Sequence, residues 1–198
     1  MFAKTNVDLT LVAPDTTDME MLMRNHRTAS DLPVVRAVRM SMSIPFVWRE
    51  VEWEEAWGAY CGRKKTGNTI VDGGVLSSFP IRLIAEPMPE IMGNTDPAAA
   101  LNLGLLLDEK LPVPGLDAKT SPKPLEQLRV VRRVSRLVDT LTGARDNDEI
   151  RAHATEICRL PVKGCGTTEF DMPEEKLKAL VLGGYTATME HLRKRGLA

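Results

Sequence analysis

An aspartate followed by two glycines, Asp72-Gly73-Gly74, is the part of the sequence best suited to chemistry. A positioned carboxylate can take the proton of a hydroxyl nucleophile, although a reference pKa of about 4 makes it a weak base that depends on burial. The apolar run just before it, 69–71, predicts a short strand, and the glycines favour a tight turn with positive φ. Asp-Gly is also a common turn dipeptide, so these residues alone leave Asp72 as a base or a turn former.

The serines of the chain lack the setting that activates a hydroxyl in a nucleophile elbow. None of them has a glycine two positions away on both sides, as Gly-x-Ser-x-Gly requires. Ser41 and Ser43 lie just before Ile44-Pro45, where proline enforces an extended backbone. We interpret both as structural hydroxyls beside this bend.

Two stretches, 39–46 (RMSMSIPF) and 70–80 (IVDGGVLSSFP), together resemble the patatin-like phospholipase family. The family has a Ser-Met-Ser-Ile-Pro-like segment before a strand that ends in Asp-Gly-Gly. Residues 12–17 (VAPDTT) are similar to the family's strand and turn after the nucleophile region, and residues 168–171 (TEFD) resemble the tail of bacterial members. The resemblance covers most of the chain in the family's order.

The resemblance implies a lipid acyl hydrolase with a Ser-Asp dyad and no cofactor or metal. Only the aspartate transfers to this sequence, onto Asp72, with Gly73 and Gly74 as the glycines of the motif; Ser78 stands where the family often has asparagine. The serine and the glycine-rich oxyanion loop would lie upstream of Met1. We therefore expect a fragment or half of a split enzyme that is inactive alone. The alternative is a non-catalytic binding or regulatory module that retains part of the fold.

An aromatic stretch between the two motif segments is the predicted wall of a substrate pocket. It includes Phe46, Trp48 and Trp53, and Trp57 follows closely. Such a cluster is also typical of core packing or of a lipid-facing rim. Head-group and acyl-chain selectivity would depend on this stretch if the chain binds a lipid or ester.

The hydrophobic pattern predicts an α/β chain: the last part of a three-layer α/β/α domain over 1–83, then a mainly helical extension over 84–198. Alternating residues predict strands at 7–11 and 19–23, and helical spacing predicts helices over 31–42, 125–141 and 171–192. The proline-rich segment 86–124 reads as irregular connection. Missing first strands would leave a sheet edge uncovered, so self-association is expected.

The amino-acid composition limits the binding partners and the cellular location that can be expected. The 198 residues include 26 Lys and Arg and 27 Asp and Glu, a net charge of -1 that gives no basis for nucleic-acid binding. Three cysteines and three scattered histidines lack metal-ligand spacing. We find no signal peptide and no membrane-spanning run. A cytoplasmic protein is expected, with peripheral membrane contact through the arginines of 125–141 as an alternative to a solvated basic face.

Overall fold

The computed structural model describes residues 2–86, 88–93, 101–116, 143, 146–166, 169 and 171–197. The chain divides into two compact units. The first unit contains Met1–Ala100 and Pro124–Glu149, and the second contains Leu101–Lys123 and Ile150–Ala198. The expected α/β class is confirmed, with a long helix at the C-terminus. The domain boundary predicted between 83 and 84 stays a prediction.

The first unit is built on a four-stranded antiparallel sheet of order β2-β1-β4-β3. Its strands are β1 (Leu11–Asp15), β2 (Glu20–Arg24), β3 (Val51–Glu52) and β4 (Thr69–Ile70), and its helices include α1 (Phe2–Thr5), α2 (Val34–Ser41), α3 (Arg82–Ala85) and α4 (Pro89–Met92). The strands predicted near 19–23 and 69–71 are confirmed. The first strand begins at Leu11 instead of Val7, because pairing with β2 starts at Leu11 opposite Arg24.

The core of the first unit lies between the sheet and α2. Ala13, Leu22 and Ile70 are fully buried on the sheet, and Trp53 packs edge-to-face on Trp57 with ring centroids 6.3 Å apart. Burying large aromatic and aliphatic side chains supplies most of the favourable free energy of such a fold.

Helix α2 turns an unexpected face inward. Its buried residues are Ala37 and Met40, whereas Val35 is 72% exposed and Val34 and Val38 are each 41% exposed. The helix predicted over 31–42 is therefore present, but its valines do not form its core face. Exposed apolar side chains on one helix face are typical of a surface that packs on something else.

The second unit contains β5 (Gly104–Pro112) paired in parallel with β6 (Ile157–Lys163), and α5 (Glu174–Lys194), which packs on β6. The expectation of irregular structure over 86–124 is wrong at β5, because its partner strand lies some 50 residues later and leaves no local signal. The predicted C-terminal helix is confirmed. Gly183 lets it approach closely, since a Cβ there would lie 3.3 Å from Pro114 and from Pro161.

The helix predicted over 125–141, with its arginine face, falls outside the described residues. Within the described part of the chain, no helix is both long and apolar enough to cross a membrane.

Candidate active site

Asp72 follows β4 after one intervening residue, Val71, and lies at the start of a single 3-10 turn formed by Gly73–Val75. Its carboxylate caps that turn, because Oδ1 accepts a hydrogen bond of 2.7 Å from the backbone N–H of Gly74. Its own backbone N–H donates to the carbonyl oxygen of Ser43 at 3.0 Å. One hydrogen bond thus holds the carboxylate, and the other holds the backbone of Asp72.

Close packing explains the two glycines of the motif. Gly73 is buried, and a Cβ there would lie 3.0 Å from the carbonyl oxygen of Val12 in β1. A Cβ on Gly74 would lie 2.9 Å from Oδ1 of Asp72. Neither glycine has a positive φ, so the expected left-handed turn is wrong. Glycine is needed here because a side chain would displace the backbone or the carboxylate.

The Ser-Met-Ser segment at the end of α2 connects this turn to the sheet. Ser41 Oγ donates to the carbonyl oxygen of Val12 at 2.7 Å, and Ser43 Oγ, which is fully buried, donates to the carbonyl oxygen of Arg39 at 2.7 Å. Both hydroxyls therefore serve the backbone, which confirms their structural interpretation. Ser41 thereby joins α2 to β1, and the backbone carbonyl of Ser43 joins the end of α2 to Asp72.

The electrostatic setting of Asp72 suits a base. Burial raises the pKa of its carboxyl, and the hydrogen bond from Gly74 only partly opposes this rise. A higher pKa increases the proton affinity of the carboxylate. Oδ2 has no hydrogen-bond partner among the residues that the structure describes, so this oxygen is available to accept a proton.

A second aspartate, Asp146, fixes the loop that follows the turn. It is 5% exposed and accepts hydrogen bonds from Ser77 Oγ at 2.7 Å, from the Ser78 N–H at 2.8 Å and from the Phe79 N–H at 3.2 Å. Sequence reasoning missed this residue, because nothing in its local pattern relates it to a loop 68 residues earlier. Asp146 acts as a positioning residue for the chain beyond Gly74.

Comparison with known proteins identifies a family for the segment that contains the Asp72 turn. Residues 2–85 match the patatin-like phospholipase family. This segment is patatin-like. It includes all four strands of the first unit, α2 and the Asp72 turn. Over 196 residues the chain is also 28% identical to the uncharacterized protein YqhO of Bacillus subtilis, covering 94% of this chain and 57% of that protein. The chain thus spans little more than half the length of this relative.

Replacing Asp146 by alanine should destabilise the loop of the patatin-like segment. The N–H groups of Ser78 and Phe79 would lose their acceptor, at a cost of about 1–3 kcal/mol in the free energy of unfolding. Urea unfolding measures this loss, and faster amide hydrogen exchange at the two N–H groups would locate it. Glu50→Ala, at an exposed acid of the same unit, is the control. Equal stability of the two variants would contradict the positioning role.

The aromatic residues of the predicted pocket wall, all in the patatin-like segment, fall into a buried group and an exposed group. Trp53 is 1% exposed, lies in the core and donates from Nε1 to the carbonyl oxygen of Gly58, so it does not line a surface pocket. Phe46 and Trp48 are 59% and 38% exposed. Phe46 also has a φ of 67°, an uncommon value for a residue with a side chain. These two residues stay the predicted wall.

Three carboxylates of the hairpin formed by β1 and β2 surround one lysine. The carboxylate oxygens of Asp15, Asp18 and Glu20 lie within 4.8 Å of one another, a spacing that could suit a metal ion. Lys65 Nζ instead occupies their centre, 2.9 Å from Asp15 and 2.6 Å from Asp18, and also pairs with Glu20. We call these four residues the Lys65 network. Local sequence patterns do not indicate this network, because Lys65 lies 45 to 50 positions after the three acids.

Proposed function

We propose that the chain is the base-bearing part of a patatin-like hydrolase of lipid acyl esters, in which Asp72 is the proton acceptor of a Ser-Asp dyad. The observation that carries the proposal is the burial and hydrogen bonding of the Asp72 carboxylate. It is half-buried and backbone-anchored through Oδ1, and Oδ2 lacks a partner within the described part of the patatin-like segment.

In the proposed reaction a serine hydroxyl attacks the carbonyl carbon of the ester while Asp72 Oδ2 takes the hydroxyl proton. The resulting tetrahedral intermediate collapses to an acyl-enzyme, and the proton passes from Asp72 to the leaving alcohol. Water then attacks the acyl-enzyme and gives a proton to Asp72, and the second tetrahedral intermediate collapses to the acid while Asp72 returns that proton to the serine oxygen. The raised pKa of Asp72 favours the two steps in which Asp72 accepts a proton.

The serine and the oxyanion donors are supplied, on this proposal, by polypeptide outside residues 1–198. None of the serines in the chain stands in a nucleophile-elbow sequence. The relative in Bacillus subtilis has further sequence that the alignment with this chain leaves uncovered. The exposed valines of α2 offer an apolar surface on which additional polypeptide, or a second copy of this chain, would pack.

The substrate proposed is a lipid or other ester with an apolar acyl chain. Phe46 and Trp48 present apolar surface on the chain that follows the Ser-Met-Ser segment. Exposed aromatic side chains also favour contact with the interface of a lipid bilayer, so a peripheral membrane association is part of the proposal.

A second candidate is a non-catalytic module that binds esters or regulates a partner. The sequence observation that favours it is the lack of a serine elbow beside an otherwise preserved Asp72 turn. Under this alternative, Asp72 serves only to cap the turn through Oδ1.

The two functions can be separated by an activity assay with p-nitrophenyl esters and phospholipid vesicles. Residues 1–198 alone should hydrolyse neither substrate. The chain should become active when the polypeptide encoded immediately upstream, or the unmatched part of the Bacillus relative, is joined to it or co-expressed with it. A serine-directed phosphonate should block this activity. Hydrolysis by the isolated chain would refute the mechanism, and a folded but inactive joined protein would favour the binding module.

A further inference from the structure

Helix α5 packs on β6 through the side that contains the buried Gly183. The side that faces away from β6 is apolar. Four large side chains there are each more than half exposed, and we call them the α5 stripe: Leu177, Val181, Leu182 and Tyr185. Three of them recur at every fourth position, which places them along one line of the helix surface. A contiguous exposed apolar surface of this kind is typical of an interaction site.

Gly184 gives independent evidence that something packs on this side of α5. A glycine inside a helix lowers the stability of the helix relative to alanine. Close packing explains Gly183, but a Cβ on Gly184 would meet no described atom within 4 Å beyond the adjacent helix backbone. Gly184 borders the α5 stripe, next to Tyr185 and three residues after Val181. The open space above Gly184 can therefore accept a large side chain from a second molecule.

The charges of α5 and of the residues at its ends indicate what that molecule is. Residues 171–178 contain three acids and two lysines, whereas residues 190–195 contain one acid, one histidine and three residues that are arginine or lysine. The first end is thus net negative and the second net positive. A second α5 that runs antiparallel brings each end beside the opposite charge and pairs the helix dipoles favourably. An anionic bilayer would attract only the second end.

We propose that the α5 stripe is a self-association surface, on which two copies of this chain pair with their α5 helices antiparallel. The two-fold axis passes through the middle of the stripe. In such a contact Val181 of each copy lies beside Tyr185 of the other, and the Tyr185 ring covers Gly184. Glu175 of one copy then lies near Arg193 of the other. One helix from each copy makes a smaller interface than an obligate dimer has, so the dimer is reversible.

This surface differs from the sheet edge that the sequence predicted for self-association. It lies in the second unit, outside the patatin-like segment, and uses neither Asp72 nor the residues that fix its turn. A negative result for the α5 stripe would therefore leave the proposed hydrolase function unaffected.

The test measures the mass of purified residues 1–198 by analytical ultracentrifugation at micromolar to submillimolar concentrations. The weight-average mass should rise from 21.9 kDa towards twice that value as the concentration increases. Val181→Glu should raise the dissociation constant about tenfold or more, because pairing would bury an unpaired carboxylate. Val181 is exposed in the single chain, so circular dichroism should show an unchanged fold. Val35→Glu, at an exposed valine of α2, is the matched control and should leave the dimer intact.

Charge reversal tests the orientation of the two helices. Glu175→Arg and Arg193→Glu should each weaken the dimer roughly threefold at low salt, and the double variant should restore it. The two residues lie about 27 Å apart along one α5, so only a contact between copies explains such a rescue.

The proposal is overturned if the wild type stays monomeric at every concentration. A monomer that binds phosphatidylglycerol vesicles, and loses this binding in Val181→Glu, would assign the stripe to a membrane surface instead. The proposal also fails if Val181→Glu dimerises as well as the wild type, if Val35→Glu weakens the dimer equally, or if the double charge reversal is no better than the single ones. The wild-type mass measurement requires no variant to fold.

Discussion

Replacement of Asp72 by asparagine should lower the kcat of the assembled hydrolase by about 10²–10⁴-fold while the chain stays folded. Asparagine cannot take the serine proton, but its Oδ1 can still accept the hydrogen bond from Gly74 that holds the turn. Ester hydrolysis by the joined protein measures the loss, and circular dichroism checks the fold. Asp171→Asn, at an exposed aspartate of the second unit, is the matched control.

The same substitution gives a second measurement through stability. Burial raises the pKa of Asp72, so its folded pKa exceeds its unfolded pKa, and its contribution to stability is largest below the unfolded pKa and falls as the pH rises through the folded pKa. Asp72→Asn should therefore be at least as stable as the wild type at pH 7, and its relative advantage in stability should disappear near pH 3.

For the activity measurement, an Asp72→Asn variant that keeps more than a tenth of the wild-type kcat would rule out Asp72 as the base.

Replacement of Lys65 by methionine is the change with the largest expected effect on folding. Lys65 and Asp15 are 1% and 0% exposed, and removing the ammonium leaves the Asp15 carboxylate buried beside two further acids. Breaking a buried ion pair on one side costs about 3–5 kcal/mol, against a typical total stability of about 5–15 kcal/mol. Urea unfolding should show a much lower midpoint.

Arg63→Met is the matched control for this loss, because Arg63 pairs with the same Glu20 but is more than half exposed. Exposed pairs contribute only about 0–1 kcal/mol. Equal effects of the two substitutions would contradict the role assigned to the buried lysine.

The Lys65 network also sets a pH dependence. Burial alone would raise the pKa of Asp15, but hydrogen bonds from Asn68 and Lys65 outweigh it and lower that pKa, and hydrogen bonds from Arg63 and Lys65 lower the pKa of Glu20. Their stabilisation is complete above the unfolded values, near 4, and is lost as the pH falls through the lower folded values. The wild type should lose stability in this acidic window, and Lys65→Met should lose less of it.

Local patterns in the sequence predicted the parts of the fold that local interactions determine. The alternation before Arg24 indicated β2, and the apolar periodicity after Pro173 indicated α5. They could not indicate the parallel pairing of β5 with β6, because a strand pair formed across about 50 residues has no short-range signature. The valines of α2 followed helical spacing, yet the sheet buries Ala37 and Met40 of that helix.

As with the fold, the sequence predicted only those parts of the candidate site that a local motif marks. Asp72 and its glycines could be found through their resemblance to a family motif, although the reason for the glycines is crowding by Val12 and the carboxylate and not a positive φ. Asp146 could not be found, because its importance comes from burial and from partners elsewhere in the chain. Trp53 looked equivalent to Trp48, and only packing distinguishes them.

The Lys65 network also bears on the order in which the chain folds. Its ion pairs join residues 45, 47 and 50 positions apart, so they require closure of a long loop, whereas the hairpin of β1 and β2 forms from neighbours in sequence. We expect the hairpin to gather the three acids early and Lys65 to enter after the rate-limiting step. Its ion pairs would then act mainly by slowing unfolding, which makes them a determinant of the lifetime of the folded state.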